Sequence, residues 1–160
     1  MDKHLFQNTI LPMKDKLFRL ALRITMNRED AEDVVQETML KLWRQRERWE
    51  QMDSLEAYAM TACRHIALDH QDKADNKVLS IEDEKPKERS TDPYNEMFQK
   101  ERLQIVHDAM NRLPEKQRTC MQLRDFEGYQ YSEIATMLGI TEEQVKVNIF
   151  RARKAIREYL

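Results

Sequence analysis

The chain has 160 residues, 27 Lys and Arg against 29 Asp and Glu, a formal net charge of −2, and 41% apolar beside 35% charged residues. That suits one ordinary domain or two small ones, with the thin cores that amphipathic helices build. Glycine occurs only twice, at Gly128 and Gly139, against an average usage of roughly 7%. This excludes a Gly-rich phosphate loop, a dinucleotide fingerprint and a series of Gly-turned hairpins. The expected class is all-α.

The two cysteines, Cys63 and Cys120, have no metal-type spacing and are too few for a secreted disulfide scaffold. Four scattered histidines (His4, His65, His70, His107) form no metalloprotease motif, and no nucleophile elbow is present. Cys63 and His65, two apart on a helix, point to different faces. No catalysis, metal or cofactor is expected. There is no apolar run of about 18 residues for a membrane span, and Met1 to Leu11 lacks the pattern of a signal peptide. The reading is a reduced, cytoplasmic protein without membrane insertion.

In chain order, a first helical segment covers residues 5–24, with Pro12 at a start or a kink. Asn27 caps a second helix whose buried stripe is Ala31, Val34, Val35, Met39 and Leu42. Ser54 caps a third, with the stripe Leu55, Tyr58, Ala62 and Ile66. Asp92 and Pro93 open a fourth that ends near Leu113, and Pro114 opens a fifth that stops before Gly128. Ser132 to Leu138 is a short helix closed by Gly139. Thr141 and Gln144 then form a capping box for the last helix. Ile134-Ala135, Leu138-Gly139-Ile140 and Val145 together have the pattern of a helix-turn-helix: a small residue where the helices approach, a glycine at the turn, apolar residues in the angle.

Between these groups the stretch 75–93 has Val78, Leu79 and Ile81 as its only apolar residues. It cannot bury enough surface to offset the entropy of ordering. The expected organisation is therefore two small helical domains, 1–76 and 93–160, joined by a flexible acidic linker, 77–92. Net charge is −1 over 1–78, −3 over 79–101 and +2 over 102–160.

On the last helix, Val145, Ile149, Ala152 and Ile156 share one side at about 100° per residue. The other side presents Glu143, Val147, Phe150, Arg151 and Lys154, flanked by Lys146, Arg153 and Arg157. Cations this dense suit a phosphate-lined groove. Solvation and dipole complementation account for the cations but not for an outward phenylalanine, which in a major groove can touch thymine methyls. The second helix carries Glu29, Asp30, Glu32, Asp33 and Glu37, five acids in nine positions. Two readings stand: acid enrichment at a helix start, or an acidic face for a basic protein partner. After it come Trp49, Met52 and Ser54, then Tyr58, Arg64, His65 and Asp69. Aromatic and polar residues so grouped can hold unstacked bases, while Trp49 and Tyr58 taken singly read equally as core.

The run Leu17-Phe18-Arg19, Asp30-Ala31-Glu32-Asp33-Val34-Val35-Gln36-Glu37-Thr38 and Leu42-Trp43 resembles region 2 of bacterial sigma factors. Leu113-Pro114, Gln117-Arg118, Glu127-Gly128-Tyr129, Glu133-Ile134-Ala135, Leu138-Gly139-Ile140, Val145-Lys146 and Arg151-Ala152-Arg153 resemble region 4. Their order and separation are similar to the extracytoplasmic-function (ECF) group, over nearly the whole chain. The resemblance implies core RNA polymerase and promoter DNA as partners, and, in many members, an anti-sigma factor. It implies that Asp30, Asp33, Gln36 and Glu37 dock on the polymerase β′ clamp. It implies that Trp49, Met52, Ser54, Tyr58, Arg64, His65 and Asp69 open and read the −10 element. It implies that Glu143, Lys146, Val147, Asn148, Phe150, Arg151 and Lys154 read the −35 element, with the region 4 domain also on the β flap.

Three places depart from the family pattern. His65 stands where Asn is frequent, His70-Gln71-Asp72-Lys73 replaces a strongly basic run, and Val147-Asn148 replaces a Ser-Arg pair. An isopropyl in place of a hydroxyl at a base-facing position changes the sequence read. Gln130 is also a poorer helix cap than Ser or Thr. The alternative is an autonomous helix-turn-helix regulator with an N-terminal dimerisation or sensing domain, which would bind a palindrome unaided.

Overall fold

Caps and turns in the sequence account for where each helix starts and stops. The computed structural model describes residues 2–78 and 97–160, with side chains over 3–74 and 101–160. Beyond Val78 the expected linker lies outside the described residues, as do Asp92 and Pro93. Helix α1 (Asp2–Leu5) passes through a π turn (Phe6–Ile10) and a 3-10 turn (Leu11–Met13) into α2 (Lys14–Thr25). Pro12 sits in the 3-10 turn, where its missing N–H costs least. The expected first segment is thus one rod of three helical geometries.

α2 ends at Met26, which takes φ 56°, a left-handed conformation that glycine would adopt without strain. Asn27 Oδ1 then accepts from the Asp30 N–H at 3.0 Å and opens α3 (Arg28–Arg44). A 3-10 turn (Arg46–Gln51) follows. Ser54 Oγ accepts from the Ala57 N–H at 3.0 Å and starts α4 (Leu55–Val78). In the second half lie α5 (Met97–Asn111), α6 (Glu115–Met121), a π turn (Gln122–Phe126), α7 (Tyr131–Leu138) and α8 (Glu142–Tyr159).

The helix-turn-helix forms as expected. Gly139 turns the chain at φ 67°. Thr141 Oγ1 accepts from the Gln144 N–H at 3.1 Å while Gln144 Oε1 accepts from the Thr141 N–H at 3.0 Å. At α7 the weak cap Gln130 is compensated by Glu133, whose carboxylate accepts from the Gln130 N–H at 2.8 Å. On α8, Val145, Ile149, Ala152 and Ile156 are all buried.

The buried face of α4 differs from the expected stripe. Ala62 is buried as expected, but Leu55, Tyr58 and Ile66 are half-buried at the edge of the core, while Ala59, Met60, Cys63 and Ala67 are wholly enclosed. The sequence draws attention to the largest apolar residues, but α4 packs against α2, α3 and α7 together. A helix enclosed on several sides needs small side chains where its neighbours come closest. Ala59, Cys63 and Ala67, at i, i+4 and i+8, provide that ridge.

Among the described residues the two halves are not independent bodies. One core cluster runs from Leu17, Leu20, Ile24, Val34 and Met60 into Leu123, Ile134, Met137 and Ile149. A second, formed by Met110, Leu113, Met121, Ala152 and Ile156, joins α5, α6 and α8. Polar contacts reinforce the seam. Arg118 is buried and donates from Nε to the Arg23 carbonyl at 3.1 Å and from Nη2 to the Ile24 carbonyl at 3.2 Å. Arg64 donates to both Glu115 oxygens at 3.1 and 2.7 Å, and Arg19 donates to both Glu127 oxygens at 2.7 Å. Thr61 Oγ1 donates to the Met137 carbonyl at 3.2 Å.

Two outcomes follow from this packing. Ile149→Ala empties a site 2% exposed at the meeting of α8 with the shared core, and should cost about 2–5 kcal/mol in urea denaturation. The second concerns pH. Burial raises the Glu115 carboxyl, but its bonds to Arg64 and Thr119 outweigh that, leaving its pKa below the usual 4.5. A lowered pKa in the folded state means stability present above 4.5 and lost as pH falls through the lowered value. The stability difference between wild type and Glu115→Gln should therefore be constant above that pH and shrink below it in acid titrations.

Candidate nucleic-acid and protein interfaces

α3 turns one side to the core and its acids outward. Ala31, Val34, Val35, Thr38 and Leu42 are buried, so Glu29, Glu32, Asp33, Gln36 and Glu37 are exposed, with Asp30 half-buried at the cap. Among the described residues Arg28 pairs with Glu32, at 3.3 Å. Glu37 is held by His70 of α4, whose Nε2 lies 2.9 Å from Oε1. This orients one acid of the row and leaves Asp33 and Gln36 open. A row of carboxylates extending past the first turn is more than a helix dipole requires.

The expected −10 residues do not share one surface. Trp49 is 3% exposed and donates from Nε1 to the Leu42 carbonyl at 3.1 Å. It stacks on Phe6 and meets Trp43 edge-on. In this arrangement its ring is a core element, because the 3-10 turn folds it back under α3, and it has no face for a base. Tyr58 is half-buried, its hydroxyl donating to Gln45. Met52 is half-buried, and Ser54 is exposed with its oxygen engaged as the cap of α4. His65 and Asp69, one turn apart on α4, are exposed. Arg64 is 7% exposed and committed to Glu115.

The outward side of α8 matches its reading closely. Glu143, Lys146, Val147, Arg151 and Lys154 are exposed, and Phe150 stands 63% exposed. Asn148 is half-buried, its Nδ2 donating to the Gln144 carbonyl at 2.8 Å. Lys146 lies over the Tyr131 ring. Arg153 is drawn aside to Asp125, at 2.5 Å, which removes it from the row of flanking cations. A shallow groove of about 270 Å³ runs beside Val147, Asn148 and Arg151, and its opposite wall carries Lys116 of α6. Nothing local in the sequence relates Lys116 to α8; only the packing of α6 on α8 does. The cations are set around an apolar centre of Val147 and Phe150, a composition for a groove with charged walls and methyl groups on its floor.

Other side chains have structural employment. Burial pushes the Cys63 thiol up to about 12 and the Cys120 thiol up to about 11, so both stay protonated and poor nucleophiles. No helix among the described residues is long and apolar enough to cross a membrane.

Comparison with known proteins agrees with this geometry. Residues 10–77 match the family model for Sigma-70 region 2, and residues 103–156 match that for Sigma-70 region 4. The chain is 34% identical over 145 residues to the ECF RNA polymerase sigma factor SigL of Mycobacterium tuberculosis, covering 88% of this chain and 80% of that protein. It is 28% identical over 169 residues to the RNA polymerase sigma-H factor of Pseudomonas aeruginosa, covering 99% and 88%. In fold it is similar to the sigma factor RpoE of Bartonella quintana, solved with the anti-sigma factor NepR, at TM-score 0.79 and 24% identity over 96% of this chain and 95% of that one. CnrH, solved with the cytosolic domain of CnrY, gives TM-score 0.71 at 17% identity over 98% and 87%. Acidic α3, the helix-turn-helix ending in α8 and these two matched regions lead to one conclusion: the chain belongs to the sigma-70 family, as an RNA polymerase sigma factor of the extracytoplasmic-function group.

Proposed function

We propose that this chain binds core RNA polymerase in the cytoplasm and confers promoter recognition on it, without chemistry of its own. The observation that carries the reading is the division of its surface. Acids cluster on α3 and cations surround an apolar centre on α8, so one chain offers a protein-docking face and a DNA-docking face of opposite sign. Long-range attraction then orients each toward its own partner.

Asp30, Asp33, Gln36 and Glu37 dock on the β′ clamp, and the half 93–160 also touches the β flap. Glu143, Lys146, Val147, Asn148, Phe150, Arg151 and Lys154 enter the major groove at the −35 element, with Lys116 beside them. His65 and Asp69, with Met52, Ser54 and Tyr58, face the −10 element; Arg64 joins them once Glu115 leaves it. Val147 gives an apolar contact where a hydroxyl would have made a hydrogen bond, so the −35 preference is shifted toward methyl-bearing thymine. The complex of RpoE with the anti-sigma factor NepR supports an anti-sigma factor as a further partner. An autonomous regulator would instead dimerise and bind a palindrome unaided.

The direct test is titration of the purified chain against bacterial core polymerase, followed by transcription from genomic fragments. Saturable binding and new start sites are expected, whereas palindrome binding without polymerase would overturn the reading. Two substitutions separate the faces. Asp33→Arg with Glu37→Arg should abolish polymerase binding while circular dichroism stays unchanged; near wild-type affinity would refute the α3 assignment. Arg151→Ala should weaken initiation by about 1–3 kcal/mol of recognition energy on the native −35 sequence. Equal loss on a template with a scrambled −35 element would show that Arg151 does not read bases.

A further inference from the structure

The exposed acids of α3 include one that another helix reaches from behind. His70 of α4 brings Nε2 to 2.9 Å from Glu37 Oε1. A carboxylate only accepts, so that ring nitrogen carries the hydrogen and donates it. The His70 side chain is 18% exposed and that of Glu37 54%. The donor is thus set in the contact of α3 with α4, while the acceptor reaches solvent. A carboxylate has room for further donors, so Glu37 can still meet an outside cation, at an orientation fixed from within. The sequence here reads His70-Gln71-Asp72-Lys73. Lysine or arginine in place of His70 would be a permanent counter-charge. Histidine is a conditional one, since its kind of side chain changes charge between about pH 5 and 8.

The two states of the ring act oppositely on the docking face. Neutral imidazole, with its hydrogen on Nε2, holds the carboxylate and leaves it its full charge. Imidazolium makes the same bond but sets a positive charge against it, so the pair presents no net charge outward. Around the pair, Asp33 and Lys41 lie one turn to either side of Glu37 on α3, and Asp69 and Lys73 lie beside His70 on α4. These are of residue types that titrate outside that range, two of each sign. From α2, Arg19 and Arg23 are turned to Glu127 and Gln122. From α7, Glu133 is turned to the Gln130 N–H. We propose that His70 is a positioning residue of the docking face, which aims Glu37 at a cationic partner when neutral and cancels its charge when protonated. A basic partner disfavours the charged ring, so docking releases a proton, and affinity rises with pH until the ring is neutral.

The inference rests on the assignment of α3 to core polymerase. It is tested by titrating the full chain against core polymerase between about pH 6 and 8 at constant ionic strength. Wild type is read against His70→Gln at each pH. Glutamine keeps an N–H donor but takes no charge, and the titration of the polymerase itself cancels in the ratio. Wild type should match His70→Gln at the alkaline end and bind about threefold more weakly at the acid end, the scale of one part-exposed ion pair. His70→Arg, permanently charged, should bind about threefold more weakly than His70→Gln throughout. In a Glu37→Gln background, exchanging His70 for glutamine should change the affinity at no pH.

A ratio of wild type to His70→Gln that stays constant with pH would overturn the proposal, as would a pH-dependent ratio that persists without the Glu37 carboxylate. Thermal unfolding of the free chains over the same range separates docking from folding. A ratio that only follows the melting temperature would refute the docking role. Should arginine not fit the half-buried position, the Glu37→Gln arm still decides, because that chain should lose the pH dependence with His70 intact. Wild type that binds no polymerase even at the alkaline end would refute the α3 assignment and this inference together. Tight binding with a constant ratio would refute this inference alone.

Discussion

The last carbonyls of α2 have no acceptor role inside their own helix, and the guanidinium of Arg118, from the other half of the chain, takes two of them. Helix ends must find such partners, and a cation is favoured at a C-terminus by the helix dipole. Because Arg118 also donates to the Leu113 carbonyl at 2.8 Å, one buried side chain joins the end of α2 to the start of α6. α6 then carries Glu115 to Arg64 on one side and packs against α8 on the other. The placement of α8 relative to the N-terminal half follows from that junction.

Around it the molecule sorts its charge. Carboxylates stand exposed on α3, and cations stand exposed on α8. Charges that only hold the fold are turned inward and paired, as Arg64 is with Glu115, or drawn aside, as Arg153 is by Asp125. Exposed ion pairs contribute little to stability, so a surface charge without a partner is the better marker of a docking face. Arg23 fits neither group: it is buried with neutral acceptors, at a seam that joins two halves by polar as well as apolar contact.

That seam gives physical meaning to a two-part chain. The shared core is apolar enough to hold the halves together, yet its rim consists of ion pairs and an incompletely compensated arginine. An interface of this composition is closer to a separable one than to the interior of a single domain.

Much was legible in the sequence because it depends on neighbours within a few residues. Asn27, Ser54 and Thr141 cap their helices through backbone groups three positions on, and Gly139 turns where a left-handed residue is required. The period of Val145, Ile149, Ala152 and Ile156 places Phe150 and Arg151 outward before any fold is known. The sequence pattern of α4 finds Ala62 but not the ridge of Ala59, Cys63 and Ala67, because how closely helices approach is a property of their packing. Trp49 could be read as a base platform or as core, and only its bond to the Leu42 carbonyl decided for core. The partners that Arg19, Arg23, Arg64 and Arg118 meet across the seam lie 51 to 108 positions away. Local pattern determines helices, caps and outward faces, since those interactions span about one helical turn. Tertiary structure alone decides which buried guanidinium meets which oxygen, since that choice is made by elements that meet only once the chain has folded.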